Sequence, residues 1–296
     1  MTGAVIAGDM RTELDCVPCL MGQALDASRH LSDDPAFHER TLDEMLRWTL
    51  EIDRRHSPPV LGQRLHRHLR EVTGEADAYR PAKDRQNELA LGLLPELRDR
   101  VRTADDPFGL AVRIAVAGNV IDLGINRTLT EADVHDALEH ALDEPVIGPT
   151  EELRAAAEAA TSILYLADNC GEIVFDQLLV ERLPTARVTV AVRGAPILND
   201  ATLVDAEVTG MTRLVEVIDN GSDAPGTLLD DCSPRFRERF EAADLVIAKG
   251  QGNYESLGEA PRPVFSLFKV KCSVVADHAG LPTGSAVLAR IGSSRP

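Results

Sequence analysis

The sequence predicts an α/β protein: a three-layer α/β/α domain with a mainly parallel sheet, preceded by an all-helical N-terminal domain. Three observations carry that expectation. From about residue 12 to 145, apolar residues recur at three- and four-residue spacing, with no strand-like alternation. From residue 161 onward, short β-rich runs alternate with helical segments, the pattern of parallel strands joined by crossover helices. A length of 296 residues with 44% hydrophobic content is ample for such a core. The texture changes at "DEPVIGPT", which places the two domains at residues 1–150 and 151–296.

In the first half the helical segments are "CLMGQALDASRHL", "FHERTLDEMLRWTLEIDRR", "PVLGQRLHRHLREVTG", "RQNELALGLLPELRDRVR", "FGLAVRIAVAGNVIDLG" and "EADVHDALEHAL". The last opens on Thr130 with Asp133 three residues on, in the manner of a capping box. "RLHRHLR" reads as a solvated helix face, and Trp48 as a core residue. In the second half the strands are "SILYLA", "ARVTVAVR", "LVEVI", "DLVIAKG" and "PVFSLFKV", with helices at "GEIVFDQLLVERL" and "DATLVDAEVTG". The tail "GSSRP" is expected to fray.

Composition narrows the function classes. No apolar run approaches the roughly 20 residues of a membrane-spanning helix, and "MTGAVIAGDMRTELD" lacks the basic and apolar regions of a signal peptide, so a cytoplasmic location is expected. A net charge of −17 without a local basic patch repels phosphate backbones and anionic membranes, which excludes nucleic-acid and lipid partners; it sets no oligomeric state. Of 31 basic residues only Lys83, Lys249, Lys269 and Lys271 are lysine, and three of these lie between 249 and 271. A compact ammonium and a planar guanidinium are not interchangeable, so that cluster points to a site. Five cysteines without a secretory signal read as reduced thiols rather than a disulfide framework.

In open α/β sheets ligands sit outside the carboxyl ends of the strands. Each strand here ends in acids, amides, cations or glycines: Asp168, Asn169 and Glu172, then Arg193, Asn199 and Asp200, then Asp219 to Asp223, then Lys249, Gly250, Gly252 and Asn253, then Lys269 and Lys271. Carboxylates converging with amide oxygens on one edge repel unless a cation neutralises them, and hard oxygen donors suit Mg²⁺ or Mn²⁺. Asp168, Asn169 and Asp200 are the candidate ligands. The competing reading makes Asp168 and Asp200 helix caps. "AKGQGNYESL" offers an anion loop, with glycine amides and the Lys249 ammonium around a phosphate; the competing reading is a tight turn at Gly250 and Gly252. Cys16 and Cys19 supply two of the usual four zinc ligands, and Cys170, Cys232 or Cys272 would complete a second metal site or a redox pair; the alternative is buried inert thiols.

Seven segments occur in a fixed order across residues 16 to 276: "CVPCLMGQAL", "GNVIDLG", "LADNCGEIVFD", "VRGAPILNDAT", "VIDNGSDAPGT", "AKGQGNYESL" and "FKVKCSVVA". In order and approximate spacing the chain resembles the metal-dependent damage-control phosphatases, first catalogued as domain of unknown function 89, and most closely the prokaryotic-type subfamily with an N-terminal CxxC. The resemblance implies hydrolysis of small phosphorylated metabolites, often damaged ones, with Mn²⁺, Co²⁺, Ni²⁺ or Mg²⁺. It implies Asp168, Asn169 and Asp200 as metal ligands, Lys249 as a phosphate contact and Asn119 as a residue approaching from the helical domain. Arg193, Asp205, Gly250, Gly252, Asn253 and Lys271 complete the expected substrate pocket.

Those residue types suit phosphomonoester hydrolysis by attack of a metal-bound water, with Asp168, Asp200 and Lys249 catalytic. A covalent path through Asp168 is disfavoured because no D-x-D-x-[TV] signature is present. Either Asp200 or Asp205 serves as base. The rival class is a non-hydrolytic binder of a nucleotide or CoA-type ligand built on the same loops. Methyl transfer is a weaker rival, because no glycine-rich cofactor loop follows the first strand.

Overall fold

The structure, a computed structural model, describes residues 10–118, 135, 138, 139 and 142–293. The first half carries the helices α1 (Cys16–Leu31), α2 (Pro35–Thr49), α3 (Pro58–Thr73), α4 (Arg80–Thr103) and α5 (Pro107–Ala117). Their starts follow local chemistry. Asp34 accepts the Ala36 N–H at 3.0 Å with Pro35 behind it, and Asp106 accepts the Gly109 N–H at 3.1 Å ahead of α5. All of the expected segment "GNVIDLG" after its first glycine, including Asn119, and most of "EADVHDALEHAL", with its Thr130–Asp133 pair, lie outside the described residues.

The second half runs α6 (Thr150–Ala159), β1 (Ile163–Leu166), α7 (Glu172–Val180), β2 (Val188–Val192), α8 (Leu203–Thr209), α9 (Met211–Leu214) and β3 (Glu216–Asp219). It continues with α10 (Pro234–Ala242), β4 (Leu245–Lys249), α11 (Gln251–Ser256), β5 (Val264–Lys269), α12 (Ser273–Ala279) and β6 (Ala286–Ile291). The strands form one sheet in the order β3-β2-β1-β4-β5-β6. β1 to β5 are parallel, with Ile163 in register with both Val188 and Leu245. β6 runs antiparallel to β5, Val264 opposite Ile291. This sixth strand adds to the five runs read from the sequence: after α12 a short turn brings "AVLARI" back beside β5, running antiparallel to it.

Strand side chains alternate between two apolar layers. Ile163, Tyr165 and Ala167 face a layer built with Leu93, Leu94 and Leu97 of α4, Val112 of α5 and Ile173 and Leu178 of α7. Leu164 and Leu166 face the other, with Phe236 and Phe240 of α10 and Val275 of α12. Helices α4 and α5 thus belong to the same apolar layer as the sheet. A third cluster, Leu20, Ala24, Met45, Leu61, Leu65, Leu69 and Tyr79, joins α1, α2 and α3, with Trp48 and Leu198 packed against it.

"RLHRHLR" is not the solvated face expected of it. His66 is buried and its pKa falls to about 4, first through desolvation and then through Arg70. Arg67 donates Nη2 to Asp223 Oδ1 at 2.6 Å, and Arg70 also pairs with Asp223, so α3 is tied to the loop after β3. Among the described residues no helix is long and apolar enough to cross a membrane.

Leu65 has no exposed surface in the α1–α3 cluster. Leu65→Ala is therefore expected to cost about 2–5 kcal/mol, read as a lower urea midpoint; an unchanged midpoint would contradict the packing described.

Candidate functional site

The sheet order reverses at its centre. From β1 the chain moves outward to β2 and β3, then crosses to β4 on the other side, which opens a crevice outside the carboxyl ends of β1 and β4. Asp168 leaves β1 two residues after its end and is 7% exposed, while Asp200, in the loop ahead of α8, is 3% exposed. The two loops are sewn together. Cys170 N–H donates to Asn199 O at 2.8 Å, Ala201 N–H to Asp168 O at 2.7 Å, and Asn169 and Asp200 form an antiparallel bridge. Neither acid caps a helix, because the N-cap of α7 is Gly171 and that of α8 is Thr202. The capping reading of Asp168 and Asp200 is thereby removed.

Arg193, one residue past β2, lies between them. Its Nε donates to Asp200 Oδ2 at 2.6 Å, its Nη2 to Asp168 Oδ1 at 3.3 Å and its Nη1 to Asn253 Oδ1 at 3.2 Å. Asn253 also accepts from Thr227 Oγ1 at 2.7 Å and donates to Lys249 O at 2.8 Å. Arg193 and Asn253, expected to meet substrate, therefore have side chains engaged by protein partners. Lys249 closes β4 fully buried, with Nζ 2.7 Å from Asp176 Oδ1 and 3.5 Å from Glu172 Oε2. Gly250 adopts φ 82°, and a Cβ there would fall 1.9 Å from Asp168 Oδ2. Its N–H donates to Leu267 O at 2.8 Å, so this glycine lets the chain pass against the carboxylate and does not lend its amide to an anion loop. Gly252 is similarly tight, with a Cβ placed 2.0 Å from Pro225 O.

Burial and mutual repulsion set the electrostatics. Asp168 is pushed up to about 7, first by desolvation and then by Asp200, against Arg193, Lys271 and Lys249. Glu172 also rises to about 7 by desolvation, with Lys249 opposing and Asp168 adding to the rise. Asp176 is raised by the same burial. Glu255 on α11 reaches about 7 through desolvation and, against its hydrogen bond from Gln251, through Asp168. Burial pulls Lys249 down, but Asp176 and Glu172 outweigh it and hold the ammonium above its ordinary range. Acids that stay protonated near neutrality beside a guanidinium and an ammonium are under-neutralised. A donor set of carboxylates and amide oxygens in that condition fits a hard divalent cation.

Asn169 donates Nδ2 to Glu172 Oε1 at 2.7 Å and to Asp168 Oδ2 at 3.2 Å. Asp205 accepts from Thr202 N–H at 2.9 Å as part of the α8 capping box, from Asn87 Nδ2 at 2.9 Å and Arg80 Nη2 at 2.7 Å, and pairs with Lys83 Nζ at 2.8 Å. Desolvation would raise it, yet Lys83 and Arg80 hold it at about 2. The carboxylate of Asp205, expected in the substrate pocket or as the base, is thus engaged by protein partners. Of the clustered lysines, Lys269 pairs with Glu144 at 3.2 Å, while exposed Lys271 lies within electrostatic reach of Asp168.

Sequence reasoning missed Asp176, Gln86 and Asn87. Asp176 had a signal: an acid four residues after Glu172 in the otherwise apolar "EIVFDQLLV" shares a helix face with it. None of the five cysteines is in a disulfide. Cys170 donates to Gln86 Oε1 at 2.8 Å and Cys232 is buried in the second apolar layer, whereas Cys272 lies within electrostatic reach of Cys16 and Cys19. Elsewhere, Glu96, His135 and Glu139 bring ligand atoms within 4.8 Å of one another, but Glu96 is exposed and Glu139 is paired with Arg100.

Residues 12–287 match the family model described as the damage-control phosphatase ARMT1-like domain. The chain is 34% identical to an uncharacterized protein of Methanocaldococcus jannaschii, over 93% of each chain. It is 34% identical to a protein of Archaeoglobus fulgidus named damage-control phosphatase, covering 92% of this chain and 96% of that one. The crystal structure of a DUF89 family protein from Pyrococcus horikoshii superposes with a TM-score of 0.85 at 31% identity, covering 95% of this chain and 99% of the other.

A raised folded-state pKa means that protonated Asp168 stabilises the metal-free fold, and that this contribution is lost as pH climbs from the ordinary 3.8 toward about 7. The melting temperature of metal-free protein is expected to fall more steeply with pH, between about pH 4 and 7, for the native chain than for Asp168→Asn, which has no proton to lose. Parallel profiles would contradict the raised value.

Proposed function

Since this chain belongs to the damage-control phosphatase ARMT1-like family, we propose that it is a metal-dependent phosphatase of small phosphorylated metabolites, such as sugar phosphates, phosphopantetheine-like compounds or damaged metabolites. The observation that carries the reading is the buried donor set of Asp168, Asn169 and Asp200 on two loops bonded to each other beside Lys249.

Those three residues would hold the ion. When bound, a divalent cation there supplies charge neutralisation at a phosphoryl oxygen and lowers the pKa of a water. Asn169 spends its Nδ2 on Glu172 and Asp168, leaving Oδ1 as the atom it would offer a cation. Arg193 holds Asp168 and Asp200 on one guanidinium, which keeps two repelling acids in place before an ion arrives. Lys249, locked on Asp176, contributes a positive field to the equatorial oxygens of a phosphoryl group without moving. Lys271 is the exposed cation placed to draw the substrate's phosphate toward the crevice. Of the two candidate bases Asp205 is the poorer, because a carboxylate held at about 2 is a weak proton acceptor at neutral pH.

The purified protein is expected to release phosphate from sugar phosphates, phosphopantetheine or p-nitrophenyl phosphate with Mn²⁺, Co²⁺, Ni²⁺ or Mg²⁺, and to stop on adding EDTA. Asp168→Ala should lower turnover on the order of 10³-fold. A ligand-dependent melting shift with no phosphate release in any metal would replace the enzyme reading with that of a nucleotide or CoA-type binding protein.

A further inference from the structure

We propose that Gln86 and Asn87, neighbouring residues in the first half of α4, are positioning residues for the metal-binding loops; the inference rests on the assignment of Asp168, Asn169 and Asp200 as ligands. Both side chains are buried, at 4% and 2% exposure, on the face of α4 that also buries Lys83 and Ala90. A buried amide costs free energy unless bonded, so its partners indicate what it does.

Gln86 touches both loops, and Asn87 joins the first loop to α8, the helix that follows the second. Gln86 Oε1 accepts from Cys170 Sγ at 2.8 Å and from Asn199 Nδ2 at 3.5 Å. Asn87 Oδ1 accepts the Gly171 N–H at 2.7 Å, while its Nδ2 donates to Asp205 Oδ1 at 2.9 Å. Cys170 and Gly171 directly follow the Asp168–Asn169 pair, and Asn199 directly precedes Asp200. One turn of α4 therefore fixes the spacing of the chain segments that carry the three ligands. Among the described residues the buried Gln86 Nε2 has no hydrogen-bond partner. An apolar residue would avoid that loss, so the two carbonyl contacts are what offset it.

The grip is reinforced around the second loop. Asp205 is clamped by Lys83 and Arg80, four and seven residues before Asn87. Arg70 on α3 donates to Pro196 O at 3.1 Å. Leu198 sits at φ 45°, an uncommon conformation for a residue with a branched side chain, and packs against the α1–α3 cluster. The backbone just ahead of Asp200 is thus held in a strained form by helices from the first half of the chain. Groups that orient metal ligands from behind contribute to affinity without touching the ion.

The test is Mn²⁺ binding to metal-free full-length protein, followed by loss of the free-Mn²⁺ EPR signal, with melting temperature recorded alongside. Asn87→Ala and Gln86→Met are each expected to weaken Mn²⁺ binding by about 10–100-fold. Phe240→Ala, buried in the other apolar layer toward the amino ends of the strands, should lower the melting temperature while binding Mn²⁺ as the native chain does. Should Asn87→Ala fail to fold, Gln86→Met, close in shape and without the carbonyl, decides the matter. Native-like Mn²⁺ affinity in the folded variants would overturn the proposal and leave the ligand assignment standing. A native chain that binds no Mn²⁺ would overturn both.

Discussion

Two carboxylates, Asp168 and Asp200, meet a single buried guanidinium, Arg193, where the first two strands end. Removing one partner from a buried ion pair leaves an uncompensated charge, which is far more costly than losing a surface contact. Around this trio the acids outnumber the cations. Glu172 and Asp176 add two carboxyls, and Lys249 adds one ammonium, so desolvation and repulsion leave Asp168 and Glu172 with pKa values near 7. The resulting deficit of positive charge is the physical basis for reading the crevice as a cation site.

The rest of the fold serves that deficit by keeping it dry and fixed. The parallel strands are buried on both faces, and the crevice opens at their carboxyl ends. Gly250 allows the chain to run against Asp168 where any side chain would collide with the carboxylate. The first-half helices contribute more than a cover. Through α4 they share an apolar layer with the sheet, and through Gln86, Asn87, Lys83 and Arg80 they reach both ligand-bearing loops.

Much of this was legible in the sequence, for reasons that can be named. The change from 3.6-residue to strand-like periodicity announced the α/β sheet, because buried parallel strands must be short apolar runs such as "SILYLA". Asp168, Asn169, Asp200, Arg193 and Lys249 were found by asking what each strand end carries, and they lie on neighbouring loops. Pairings between distant segments were not legible. Nothing local marks Asp205 as the partner of Lys83 and Arg80, 122 and 125 residues away, or shows that Arg193 and Asn253 bond to each other. Nor could periodicity reveal that Gln86 and Asn87 face the sheet loops rather than solvent, because amides are common on exposed helix faces. The "RLHRHLR" segment misled for the same reason, since its charges are satisfied by Asp223 on another part of the chain.

The most direct test of the central claim is anomalous diffraction from crystals soaked in Mn²⁺. The account predicts one strong peak within bonding distance of oxygens from Asp168, Asn169 and Asp200. A peak only at Glu96, His135 and Glu139, or none in the crevice at saturating Mn²⁺, would contradict it.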